Sequence, residues 1–299
     1  MNNPTPPVID YEGSDYQDKF WERGGRAYED QCEAIALKHL LPVQGGKRLL
    51  ELGAGAGRNT PRYEQFEQIV LVDYSTTQLK QAMQKLGLAE RYCYVAADIY
   101  RLPFTSASFD AATMIRTLHH MADAPLALQQ VARVLCGQST FILEYANKQN
   151  LKAMLRYLLG KQKWSPFSLE AVEFAKLNFD FHPKAVRQWL EETQFRVESQ
   201  RTVSHFRLGI LKRVLPLKLL AGLDGLLQPT GALFQFTPSV FLKAYKDTPA
   251  EAVPEELVFL CPTCGHAPLA DTPPLLTCPI CKSRYPVQDG IYDLRPARK

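Results

Sequence analysis

Between Lys47 and Tyr145 short apolar runs alternate with segments whose apolar residues recur every three or four positions. That order specifies a parallel sheet with crossover helices. The runs Arg48–Leu52, Ile69–Asp73, Tyr92–Asp98, Phe109–Ile115 and Thr140–Tyr145 are predicted strands, with predicted helices over Thr76–Leu88 and Ala124–Leu135. In the second helix Asp123 is the expected N-cap, and Leu128, Val131 and Leu135 share one face. Upstream, Tyr28–Leu41 reads as a helix stopped by Pro42. Downstream, Pro183–Thr193 reads as a helix with His182 at its start, while Phe195–Phe206 and Ser239–Tyr245 read as strands that pair antiparallel around the insertion between them. The fold class is α/β, a doubly wound sheet with helical insertions at about 147–180 and 208–237.

Composition leaves this picture in place. With 46% hydrophobic, 22% charged and 10% aromatic residues in 299, the chain is neither disordered, collagen-like nor disulfide-dense. No apolar run approaches the ~20 residues of a membrane span, and the N-terminus lacks the basic-then-apolar order of a signal peptide. A cytoplasmic location is expected. Asp247–Glu256 (DTPAEAVPEE), rich in Pro and acids, reads as a linker. It divides an N-terminal helical cap (1–46) and a main domain (47–246) from a C-terminal module (257–299).

The most informative stretch is LLELGAGAGRNT, Leu49 to Thr60. A buried strand runs into Gly53-Ala54-Gly55-Ala56-Gly57, where small side chains let a ligand approach backbone amides at a helix start. Glycines also serve plain tight turns, but Asp73 ends the second strand about 20 residues on, the separation at which an acid accepts ribose hydroxyls. Arg58 replaces the third glycine of a dinucleotide fingerprint, and Glu51 would oppose a pyrophosphate while attracting a cation. The ligand is expected to be partly positive. Asp98, closing the third strand, is placed to accept from an exocyclic adenine amine with Ile99 on the ring.

With LELGAGAG, LVDYS, AADIYRLPF, SFDAATMIRTLHH and LQQVARVL in sequence, the stretch Lys47 to Glu144 resembles the class I S-adenosylmethionine-dependent methyltransferases, especially the ubiquinone and menaquinone group. The resemblance implies a Rossmann-like methyltransferase sheet in which Gly53, Ala54, Gly55 and Gly57 line the methionine part of the cofactor beside Glu51. It further implies that Asp73 holds the ribose, Tyr74 packs on adenine, Asp98 and Ile99 recognise it, and Ile115 or Arg116 faces the sulfonium. Methyl transfer needs a base only for some acceptors, and His120, His119, Glu144 and Tyr145 lie near the strand ends where one would act. Equally, such a histidine serves simply to bond a loop carbonyl. The stretch Tyr11–Tyr28, with Tyr16, Phe20, Trp21, Arg23 and Arg26, either folds over the cofactor or packs on the sheet. Arg26 and Tyr28 are its preferred pocket contacts.

Cys261-Pro-Thr-Cys264 and Cys278-Pro-Ile-Cys281 have the spacing of a four-thiolate zinc ribbon, a closed and structural site. Disulfides are the competing reading. The surrounding Leu257 to Leu294 resembles the small zinc-ribbon activators that partner methyltransferases of tRNA, rRNA and translation factors, which implies docking on the catalytic sheet edge.

The acceptor is the open question. Between Asn147 and Leu220 fourteen Lys and Arg face six acids, an excess of eight in a chain whose net charge is only +4. RNA, another anionic substrate or a plain solvated face fits this basic segment, 147–220. The leucines of 208–227, with Lys212, Arg213 and Lys218, fit peripheral membrane contact, a cover over a lipid- or quinone-like substrate, or a lid pair packed on its own domain. A small-molecule methyltransferase, an RNA or translation-protein methyltransferase with a built-in activator, and an inactive cofactor-binding scaffold remain as alternatives.

Overall fold

The computed structural model describes residues 6–14, 21, 25–207, 209–272 and 274–296; Tyr16, Phe20 and Arg23 of the N-terminal aromatic stretch lie outside the described residues. Five parallel strands, β1 (Gly46–Leu52), β2 (Phe66–Asp73), β3 (Tyr92–Ala96), β4 (Phe109–Met114) and β5 (Leu135–Ala146), run in the spatial order β3-β2-β1-β4-β5. The last five residues of β1 are all buried, as expected of a strand covered on both faces. Helices α1 (Ala27–Leu40) and α2 (Thr76–Leu86) cover one face, and α3 (Ala124–Val134) and α5 (Pro183–Glu192) cover the other. Strand order reverses between β1 and β4, which opens a crevice at their C-terminal ends.

The sheet continues past β5 through β9 (Ser239–Lys246) and β8 (Phe195–Val203), paired antiparallel. Asp123 caps α3 by accepting the Leu126 N–H, and the His182 ring accepts from Lys184 N at the start of α5. Two expectations change. β5 begins at Leu135, five residues before the predicted Thr140, because Gly137 continues the strand where the linker backbone passes so close that a Cβ would lie 1.7 Å from Pro249 O. The insertion at 147–180 is only partly helical: α4 (Leu151–Leu158) is followed by a hairpin of β6 (Val172–Ala175) and β7 (Asn178–Asp180). The second insertion holds α6 (Gly209–Val214) and α7 (Leu217–Leu227). Among the described residues no helix is long and apolar enough to cross a membrane.

The C-terminal module is a meander of β10 (Ala270–Thr272), β11 (Leu275–Thr277), β12 (Arg284–Gln288) and β13 (Ile291–Asp293). It joins the main sheet: β13 pairs parallel with β3, Tyr292 opposite Val95, and Leu294 N donates to Ala96 O at 2.8 Å. Strand alternation sends Ile291 into the core under α2 and leaves Tyr292 against the core on the opposite face. The linker is held along the opposite end of the sheet, where Arg48 donates to Glu255 O at 3.1 Å and Lys47 pairs with Glu255 at 2.7 Å.

Candidate active site

The crevice at the β1/β4 reversal is a cleft of two chambers, which share Gly53, Gly55, Gln78 and Arg116. The loop after β1 is shaped by two different needs. Gly53 has φ +66° and sits so close to β4's exit that a Cβ would lie 2.1 Å from Thr117 Oγ1. Gly55, at φ +54°, meets nothing nearer than Gln78 Oε1 at 3.9 Å, so its open side belongs to the cleft. Gly57 lines neither chamber; it lets the loop pack on Ala82 and Leu86 of α2.

Asp73, Tyr74, Asp98 and Ile99 line the first chamber. The two carboxylate oxygens of Asp73 accept from Ser75 N at 2.9 Å and Gly55 N at 2.8 Å, which fixes the side chain while each oxygen keeps a lone pair. Burial lifts the Asp73 and Asp98 carboxyls above their ordinary values. Asp98 Oδ1 caps the turn after β3 by accepting from Tyr100 N at 2.9 Å.

Glu51, Ala54, Arg58, Ile115 and Arg116 line the second chamber with Trp21. Glu51 is buried and accepts from Thr60 Oγ1 at 2.6 Å; burial outweighs that bond and the nearby Arg58 and Arg62, and its carboxyl is pushed up to about 7. Arg58 is held by Asp30 and by fully buried Glu33, and its guanidinium stacks 3.6 Å from the Trp21 ring centroid. Arg116 shares Glu33 through Nε at 2.6 Å. Two guanidiniums and one carboxyl thus surround this chamber. Gln78 Oε1, buried without a partner among the described residues, adds an acceptor that fits a donating ligand.

The base candidates separate. His120 lines the first chamber, its Nδ1 3.1 Å from Leu177 O and its Nε2 3.3 Å from the Tyr11 hydroxyl. His119 packs against it with the rings tilted by 47°, centroids 4.0 Å apart. Burial lowers both imidazoles, His119 strongly, so both are neutral near pH 7. Glu144 lines neither chamber and uses both oxygens, on Ser239 Oγ at 2.6 Å and Arg116 N at 2.9 Å. It thereby holds Arg116 at φ +55°, a conformation a side-chain-bearing residue rarely adopts. Tyr145 packs in the hydrophobic core. Tyr28 lines neither chamber: its hydroxyl donates to Asp224 at 2.8 Å and accepts from Phe206 N at 2.9 Å, tying α1 to the second insertion. Arg26 pairs with Glu29.

Sequence reasoning weighed Arg58 only as a missing glycine and did not find Gln78, Thr117 or Glu33. Their signals were a charge on a glycine loop and a polar residue in the first turn of a predicted helix.

In the C-terminal module, the sulfurs of Cys261, Cys264, Cys278 and Cys281 all lie within 4.8 Å of one another. The Cys261–Cys281 and Cys264–Cys278 separations are 3.6 and 3.5 Å, well beyond the ~2.05 Å of a disulfide. They are close to the ~3.8 Å edges of a tetrahedron with ~2.3 Å metal–sulfur bonds.

Comparison with known proteins adds to this picture. Residues 50–143 match the family described as a methyltransferase domain. The 27-O-demethylrifamycin SV methyltransferase of Amycolatopsis mediterranei is 28% identical over 154 residues, 45% of this chain and 57% of that protein. The demethylmenaquinone methyltransferase of Mycobacterium tuberculosis is 25% identical over 178 residues, 59% of this chain and 69% of that one. The chain thus spans little more than half the length of the first. In fold, it matches an S-adenosylmethionine-dependent methyltransferase from Mesorhizobium loti with a TM-score of 0.50 at 16% identity, covering 72% of this chain and 97% of that one. Residues 50–143 thus match the methyltransferase-domain family, on a Rossmann-like sheet whose β1/β4 crevice holds the candidate site.

Proposed function

We propose that this protein is an S-adenosylmethionine-dependent methyltransferase acting on a small apolar acceptor. The observation that carries the reading is the order of charges along the cleft. Asp98 and Asp73 offer acceptors where a nucleoside would lie, and Glu51 with Arg58 and Arg116 offers both signs where a zwitterionic amino-acid tail would lie. A pyrophosphate would meet Glu51 instead. The names of the rifamycin and menaquinone relatives support a small acceptor.

Bound there, the cofactor supplies an electrophilic methyl group on a sulfonium. The chain's part is placement: fixing both ends of the ligand leaves the methyl exposed for in-line attack, where near-attack geometry provides most of the acceleration. An acceptor that must lose a proton meets neutral His120 once Tyr11 is displaced from Nε2. Glu144 is a positioning residue acting through Arg116. Calorimetric titration of the full chain is expected to give one S-adenosylmethionine site per chain; absence of binding, or preference for a nicotinamide dinucleotide, would overturn the reading.

Glu51 makes that binding pH-dependent. Its carboxyl stays protonated in the empty folded protein to about pH 7, whereas a cationic ligand favours the carboxylate. Binding should release a proton, and affinity should rise with pH by up to about tenfold per unit below 7, then level off. Titrations at pH 6 and 8 in buffers of different ionisation enthalpy read both effects, and Glu51→Gln should flatten the profile.

The cysteine quartet fits zinc, which would close a small module whose meander buries little apolar surface of its own. One zinc per chain is expected by metal analysis of protein purified without chelators, and a chelator should melt 257–299 before the main sheet. Stoichiometric absence of zinc would contradict this.

A further inference from the structure

We propose that the exposed apolar faces of α4 and α7, with the loop after α7, form a docking surface for an anionic lipid bilayer. The proposal rests on the reading of a small apolar acceptor, because this surface flanks the C-terminal edge of the sheet where the cleft opens. In α4 the residues Leu151, Leu155, Leu158 and Leu159 fall on one helical stripe, the spacing that a globular protein uses to bury a face. Yet Ala153 is the only buried residue of the helix, and Leu158 is 71% exposed. α7 buries Leu220, Ala221 and Asp224, while its other side carries Leu219, Leu223, Leu226 and Leu227, with Leu226 77% exposed. The chain then runs to exposed Leu233, Phe234 and Phe236, the two phenylalanine rings stacked 5.4 Å apart. Leu151 N donates to Phe236 O at 2.9 Å, so the start of α4 and this loop make one continuous surface.

Charge selects the occupant. Residues 149–163 and 209–236 carry seven Lys and Arg, of which Lys212 pairs with Glu29 of α1, and a single acid, Asp224, which is fully buried. A second copy of the chain would bring these cations face to face, and RNA would leave the leucines in water. An anionic bilayer accepts both: leucines and phenylalanines enter the headgroup boundary while the cations meet phosphates. Helices of 8 and 11 residues are too short to cross a ~30 Å hydrocarbon core, so they lie in the interface. An acceptor dissolved in the membrane would then reach the cleft without crossing water.

The test uses the full chain and sedimentation with vesicles of phosphatidylcholine alone or mixed with phosphatidylglycerol. Binding is expected for the mixed vesicles and at least tenfold weaker for phosphatidylcholine. The paired variants Leu155→Glu with Leu158→Glu, and Leu226→Glu with Phe234→Glu, should lose binding at least tenfold while melting temperature and S-adenosylmethionine affinity hold. Vesicle binding with no cofactor binding would support docking and contradict the methyltransferase reading. The proposal is overturned by failure to bind mixed vesicles, by variants that bind as well as the parent, by a stable dimer that the variants dissociate, or by capture of a single-stranded RNA without vesicle binding.

Discussion

Truncation after Lys246 is expected to lower the melting temperature of the remaining domain by about 10–20 °C and to make it aggregate. The C-terminal module is part of the sheet: removing it strips β13 from β3 and leaves an unpaired edge, a template for association between chains. It also uncovers apolar surface on both faces. Ile291 packs in the core with Leu79, Ala82 and Tyr94, and Phe259 lies 5.9 Å from Phe104, which is itself fully buried. Exposing two or three such side chains, at ~1.5–3 kcal/mol each, removes about 5 kcal/mol. At ~2–4 °C per kcal/mol for a domain of this size, that gives the expected shift, from a total stability of only ~5–15 kcal/mol. Calorimetric melting and light scattering of both forms check it; a truncated protein as stable and soluble as the full chain would show that the module contributes nothing to the fold. Cofactor affinity should fall as well, because Arg295 donates to Tyr74 O at 3.1 Å and so braces the cleft wall from the module's side.

Asp73→Ala is expected to weaken S-adenosylmethionine binding by about a hundredfold. Hydrogen bonds to a charged group are worth ~1.5–3 kcal/mol, and each ~1.4 kcal/mol is a decade. The ribose would lose such an acceptor, and Gly55 N and Ser75 N would lose theirs, loosening the loop that shapes both chambers. Asp73→Asn keeps an acceptor oxygen and should lie between the two. Unchanged affinity in the alanine variant, by calorimetry, would remove Asp73 from the site.

Much of the cofactor cleft was legible because its physics is local. A strand, small residues at its end and an acid at the end of the next strand are adjacent in sequence, and the doubly wound order follows from the alternation of periods. What escaped depends on contacts distant along the chain. The β6–β7 hairpin turns at Lys176 and Leu177, the latter at φ +53°, central positions where a Gly, Asn or Asp would announce such a turn. The linker reads as a polar tether, but side chains of Lys47 and Arg48, some 200 residues earlier, bond it in place. The base candidates illustrate the same limit: proximity to strand ends groups His120 with Glu144 and Tyr145, and only the three-dimensional arrangement shows the first on the cleft, the second engaged through both oxygens and the third in the core. Lys148, counted with the positive field, is buried, its Nζ donating to Ser168 O at 2.9 Å.

The most direct measurement is transfer of labelled methyl. The full chain, incubated with methyl-labelled S-adenosylmethionine and extract separated into organic-soluble, protein and RNA fractions, is expected to place label in the organic-soluble fraction, with about a hundredfold less for Asp73→Ala at subsaturating cofactor. Label confined to RNA or protein would contradict the apolar acceptor, and no transfer to any fraction by a chain that binds the cofactor would contradict the methyltransferase itself.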